Sequence, residues 1–172
     1  MTTRARVQRV VLRTETSADR AVSLAAYAST RIDELALTGW TPAQQDAFVA
    51  QQFDAQQRNY RAQYPHAAFD IVCVDGIDSG RCYVDRDARR ICLVDIVLLP
   101  ESRGLGVGGR LLGGLLVEAD AHGLPITLHV DKNNPVLGWY ARLGFVTDGD
   151  AGLHWSMQRP AQPQAAAVEA AA

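Results

Sequence analysis

Leu98-Leu99-Pro100-Glu101-Ser102-Arg103-Gly104-Leu105-Gly106-Val107-Gly108-Gly109-Arg110-Leu111-Leu112 carries an apolar strand through a short turn into a glycine-rich loop and then a helix. Glycines let a backbone approach an anion closely, and the unpaired N–H groups of a first helical turn point at it with the positive end of the helix dipole. The stretch therefore reads as a cradle for a ligand that carries a pyrophosphate.

Several loop types place glycines this way. A nucleoside-triphosphate loop ends in Gly-Lys-Ser/Thr to reach the outer phosphates and magnesium, and Gly109-Arg110-Leu111 supplies neither residue. The dinucleotide fingerprint fits the spacing Gly104-x-Gly106-x-x-Gly109, with Asp131 after the next apolar run, Ile126 to Val130, as the ribose-binding acid. Against it, the strand stops at Pro100-Glu101-Ser102-Arg103 before the first glycine, and too little chain follows to complete a doubly wound sheet.

Arg103-x-x-Gly106-x-Gly108, preceded by Val97-Leu98-Leu99-Pro100 and followed by Asn133, Tyr140 and Arg142-Leu143-Gly144-Phe145, resembles the coenzyme A-binding half of the GNAT superfamily of N-acetyltransferases. The resemblance is specific over about Ile91 to Phe145 and only general before it. It implies a mixed, mostly antiparallel central α/β sheet, splayed between the fourth and fifth strands, with helices on both faces. It also implies acetyl-CoA as acetyl donor, no metal, and direct transfer to a primary amine while both substrates are bound. A non-catalytic acyl-CoA-binding module and a dinucleotide-binding oxidoreductase are the alternatives.

Composition is that of a compact globular domain. The chain has 172 residues, 48% apolar and 21% charged, with a net charge of −2, which offers no basic face for nucleic acid. No apolar run approaches a membrane span, and the N-terminus lacks a signal-peptide core, so a cytoplasmic location is expected. Of the 17 basic residues, Lys132 is the sole lysine. One domain over residues 1–159 is expected, with a disordered Pro/Gln/Ala tail over 160–172 that has nothing to bury.

Val7 to Leu12 reads as a first strand, and Ser17 or Asp19 as the cap of a helix to about Leu35. Thr41-Pro42 starts a second helix running to about Tyr64, whose Phe48, Phe53, Tyr60 and Tyr64 are core candidates. Ala67 to Val74, Arg81 to Asp85 and Arg90 to Leu99 form a meander, turning at 75–80 and 86–88. A helix with Leu111, Leu112, Leu115, Leu116 and Ala119 at helical spacing ends at His122-Gly123. Ile126 to Val130 is the next strand, Pro135 to Leu143 a short helix, and Phe145 to Thr147 with Leu153 to Met157 the last strands.

The cradle amides run over Gly104, Leu105, Gly106, Val107, Gly108 and Gly109, with Arg103 or Arg110 for a charge-assisted contact. The resemblance further implies that the backbone of Val97, Leu98 and Leu99 receives the pantetheine arm and that the Leu98 N–H polarises the thioester carbonyl. It makes Asn133 a cofactor contact and Tyr140 both a contact and the general acid, a phenol that hydrogen-bonds and protonates the departing sulfur. Asp95, the lone acid of an apolar strand, is the first candidate for general base. A cross-strand ion pair with Arg81 is its structural alternative. His129 is the second candidate base.

Cys73, Cys82 and Cys92 are expected to line up across adjacent strands on a buried face, as small hydrophobes rather than nucleophiles. The acceptor, a small-molecule or peptide amine, is expected to enter by the first two helices and a turn around Asp148-Gly149-Asp150. Its identity is not written in these residues. Family members often form homodimers, and no residue pattern here decides whether this chain does.

Overall fold

The computed structural model describes residues 9–162 of the 172. Seven strands are hydrogen-bonded in the order β1-β2-β3-β4-β5-β7-β6: β1 Val10–Thr14, β2 Ala68–Val74, β3 Ile77–Arg86, β4 Ile91–Leu98, β5 Ile126–Asp131, β6 Val146–Ala151 and β7 His154–Arg159. The helices are α1 Arg20–Ala28, α2 Ile32–Ala36, α3 Pro42–Gln63, α4 Val107–His122 and α5 Leu137–Arg142. The sheet is mixed, with β4 and β5 parallel over three residue pairs, Ile91↔Ile126 to Leu93↔Leu128. A doubly wound parallel sheet, which the dinucleotide alternative requires, is not formed.

The chain packs as two compact units. One comprises β1 to β3 as far as Asp85, the three helices between β1 and β2, and Val94–Leu111; the other comprises Arg86–Leu93 and the chain from Leu112 onward. In the first, Tyr27, Leu35, Val49 and Phe53 bury one another, with Leu24, Ala28 and Phe48 packed around them. In the second, Ile126, Leu128 and Val130 are the buried residues of β5, and Leu112, Leu115, Ala119, Phe145 and Met157 are buried as well.

α3 begins as expected. Thr41 accepts from the Gln44 N–H and the Gln44 side chain returns the bond to Thr41, a capping box with Pro42 in the first turn. Phe53 is buried on it, and Tyr64 is buried just past its end. The single helix expected up to Leu35 is two. The Ser29 and Thr30 hydroxyls donate to the carbonyls of Ala26 and Tyr27, taking acceptors that a continuing helix needs, and α1 ends there.

The β2–β3 turn is tighter than six residues. Asp75 and Gly76 alone form it, both at positive φ (51° and 86°), and Val74 pairs with Ile77, the backbone of a two-residue hairpin. Residues 77–80 are consequently strand. The register shifts between Val72↔Gly80 and Cys73↔Asp78, so Cys73 faces Asp78 and Cys82 faces Asp70. The expected alignment of Cys73 with Cys82 does not occur. All three cysteines are buried and free; burial, with the Cys73 thiol donating to Asp78, raises the Cys73 pKa.

Asp148, Gly149 and Asp150 lie within β6, and the turn to β7 passes through Gly152 at φ 73°. Of the first-strand expectation, residues 7 and 8 lie outside the described residues, as do residues 163–172 of the expected disordered tail.

Several carboxylates paired with basic side chains, the buried Asp19 among them, contribute to acid stability. Asp19 and Asp78 on Arg13, Asp120 on Arg159, Glu118 on Arg86 and Asp150 on Lys132 are all held below the ordinary carboxylate range by side-chain bonds to those cations. A folded pKa below the unfolded one gives stability that is present above about pH 4 and lost as the pH falls through the folded values. The thermal midpoint is expected to drop between about pH 5 and pH 2; a flat profile would contradict these pairings.

Candidate active site

β4 runs from a hydrophobic start to the glycine loop, and its last residues set the site. Leu99 donates its N–H to Ser79 O at 2.8 Å. Val97 also faces β3, because a Cβ added at Gly80 would sit 2.2 Å from the Val97 carbonyl oxygen. Successive residues of a strand address opposite edges. The Leu98 N–H and C=O therefore point to the edge away from β3. Of the three residues expected to offer backbone at that edge, Leu98 does so and the Leu99 N–H is spent on β3.

Beyond Leu99, Pro100–Ser102 make one 3-10 turn. Arg103 Nε then donates to Leu98 O at 2.8 Å and its Nη2 to the Ser29 hydroxyl, so this arginine ties the loop to the strand end and to the end of α1. Gly104 and Gly106 take φ of 66° and 81°, a region costly for other residues. A Cβ at Gly106 or Gly109 would meet nothing within 4 Å, so the space beside the loop is open. α4 begins at Val107, its first intrahelical bond being Arg110 N–H to Gly106 O at 3.1 Å. Gly108 lies in that first turn, where backbone N–H groups have no partner within the helix.

Asp95 lies on β4 three residues before Leu98. Its Oδ2 accepts from Arg81 Nε at 2.7 Å, and Arg81 Nη2 donates to Gln56 of α3 at 2.7 Å. Arg81 is fully buried, its guanidinium 5.3–5.9 Å from the ring centres of Tyr27, Phe53 and Tyr83. Burial pushes the Asp95 carboxyl above the usual range, with the Arg81 charge and hydrogen bond pulling against it. Burial works against the Arg81 charge too, yet Asp95 and the tyrosines raise that guanidinium on balance. The cross-strand ion pair foreseen as the alternative for Asp95 is thus present.

In the second unit, Tyr140 is buried on α5, its ring 5.2 Å from Trp139 and 5.5 Å from Phe145. The Tyr140 carbonyl accepts from the N–H groups of Leu143 and Phe145, so the Arg142-Leu143-Gly144-Phe145 turn, with Gly144 at φ 89°, fixes the end of its helix. Asn133 is exposed after β5 and donates its N–H to Asp131 Oδ1 at 2.8 Å. His129 is exposed on β5, paired with Ser156. Asp150 binds Lys132 Nζ at 2.7 and 2.8 Å.

Sequence reasoning missed Gly80 and Gln56. Ser79-Gly80 carries the composition of a turn, and only the short Asp75-Gly76 hairpin reveals it as strand. Gln56 has no local signal at all. Among the described residues no cluster of His, Cys, Asp or Glu could hold a metal ion, and no helix is long and apolar enough to cross a membrane.

The model of the acetyltransferase (GNAT) family matches residues 30–145. The chain belongs to this family, whose members are acyltransferases. Among solved structures, it is similar to PaiA N-acetyltransferase from Thermoplasma acidophilum in complex with coenzyme A, with TM-score 0.65, 16% identity, and 89% of this chain and 99% of that one covered. It is also similar to an acetyltransferase from Thermus thermophilus, with TM-score 0.63, 18% identity and coverage of 91% and 99%. A third, described as histone acetyltransferase HPA2 and related acetyltransferase from Corynebacterium glutamicum, has TM-score 0.62, 21% identity and coverage of 90% and 98%. At these identities the likeness is one of fold. No curated protein sequence matches the chain.

The buried pair generates a stability prediction. Asp95→Leu alone strands the buried guanidinium and is expected to cost about 3–5 kcal/mol, while Arg81→Met with Asp95→Leu recovers most of it. Urea unfolding of the two single variants and the double variant measures this, and additive losses would contradict it.

Proposed function

We propose that this protein transfers an acetyl group from acetyl-CoA directly to a primary amine, with both substrates bound together. The observation that carries this reading is the pairing of an open glycine loop at the start of α4 with a strand end whose Leu98 N–H faces the free edge. Acetyl-CoA supplies an activated thioester.

The amides from Gly104 to Gly109 neutralise the pyrophosphate, with Arg110 as a charge-assisted contact and Arg103 holding the loop to the strand beside it. Asn133 contacts the cofactor from the turn after β5. The Leu98 N–H donates to the thioester carbonyl oxygen and stabilises the negative charge that develops there. Asp95, with Oδ2 held by Arg81 and burial raising its carboxyl pKa, takes the proton of the incoming ammonium on its other oxygen, the ion pair fixing the base rather than replacing it. The amine nitrogen then bonds to the carbonyl carbon, the carbon–sulfur bond breaks, Tyr140 gives its proton to the departing thiolate, and the proton that the new amide nitrogen sheds restores the phenol.

Stability supplies the test. A ligand that binds only the folded state raises unfolding free energy by about 2.7 kcal/mol at a hundredfold excess over Kd. Acetyl-CoA and CoA are expected to raise the thermal midpoint and NAD is not, and the shift should vanish when Gly106 and Gly108 are both replaced by valine. A shift with NAD alone would overturn the reading.

Tyr140→Phe keeps the packing and removes the acid. With an amine that supports thiol release, kcat is expected to fall about 10²-fold with the acetyl-CoA shift retained. A variant as active as wild type would assign the tyrosine to packing alone.

A further inference from the structure

Three consecutive residues of β3 meet the functional end of β4. Ser79 O accepts the Leu99 N–H, Gly80 lies against the Val97 carbonyl and the Leu98 Cα, and the Arg81 guanidinium holds Asp95. A Cβ at Gly80 would stand 2.2 Å from Val97 O and 2.8 Å from Leu98 Cα, both backbone atoms. Real side chains do not tolerate such separations, so only glycine allows the two strands to lie this close. Gly80 also has φ 151°, a backbone setting that side chains rarely adopt.

The local register explains why the approach occurs here. The shift between Val72↔Gly80 and Cys73↔Asp78 leaves Ser79 as an extra residue on β3. A bulge of this kind bends the strand that carries it, here β3 where it runs beside the end of β4. Arg81 fixes the depth of the contact, because Gln56 holds its second nitrogen from α3 and the rings of Tyr27, Phe53 and Tyr83 enclose it. With Val97 and Leu99 both turned to β3, Leu98 has one orientation left, and Arg103 secures its carbonyl from the loop side.

We propose that Gly80 and Arg81 are positioning residues for acyl-donor binding, clamping β4 so that the Leu98 N–H projects from its free edge. The proposal rests on the reading of that edge as the seat of the pantetheine arm and acetyl group. Gly80 and Arg81 bear on β4 directly and on the glycine loop only through the Arg103 bond to the Leu98 carbonyl. The clamp therefore separates two halves of one ligand: the arm and acetyl group depend on it directly, and the nucleotide end only through that bond.

Titration calorimetry on the full chain reads this directly, with acetyl-CoA and with adenosine 3′-phosphate 5′-diphosphate, which has the nucleotide end and no pantetheine. In Gly80→Ala the acetyl-CoA Kd is expected to rise about tenfold, the loss of one well-placed hydrogen bond, while the Kd of the nucleotide changes by less than about twofold. Arg81→Lys keeps the buried charge but not the fork that spans Asp95 and Gln56, and is expected to give the same pattern with a smaller loss. It decides the question if Gly80→Ala does not fold.

Unchanged acetyl-CoA affinity in the folded variants, or a parallel loss of both ligands, overturns the positioning role. Wild-type protein that binds neither ligand brings down the proposed function, and this inference with it. The two failures are therefore distinguishable.

Discussion

The contact between Gly80 and the Val97 carbonyl governs the end of β4. Two backbones at that distance leave no room for a side chain, and once they are joined the N–H groups of β4 are sorted by alternation. Leu99 is consumed by the sheet and Leu98 is aimed outward. For the proposed transfer, such a backbone donor has its direction set by the strand and needs no reorganisation when charge appears.

Beneath this contact lies a pair of opposite charges that burial alone would not favour. Taking Arg81 and Asp95 out of water costs several kcal/mol per ion, on the order of what their attraction returns, so such a pair is weak support for stability by itself. Its geometry is more informative. Nε reaches Asp95 on β4 and Nη2 reaches Gln56 on α3, which registers a helix and two strands against one another through a single planar group. Three aromatic rings surround that group. Nη1 is buried without a hydrogen-bond partner, and the rings offer it only the weaker attraction of their π faces.

Much of this architecture was legible in the chain because the signals were local. The Thr41-Pro42 start of α3, the strand from Ile126 to Val130, and the strand-to-loop-to-helix passage from Leu98 to Leu112 each rest on neighbours within a few residues. The errors share a different cause. Ser79-Gly80 has turn composition, yet Asp75 and Gly76 complete the hairpin by themselves at positive φ, which shifts every later cross-strand neighbour and separates Cys73 from Cys82. A similar displacement put Asp148–Asp150 in a turn that Gly152 makes instead.

Residue order was enough to establish the glycine loop, the phenol at Tyr140, the lone acid at Asp95 and the family to which they point, because glycine spacing and residue chemistry are properties of the chain. Folding in three dimensions was needed to clasp Asp95 with a buried Arg81, to bring Gln56 to complete the clasp, and to turn Leu98 rather than Leu99 to the free edge. Those facts depend on cross-strand register and on the approach of a helix 25 residues away from Arg81 in sequence. Register is fixed by turn geometry and packing that no short stretch of residues contains.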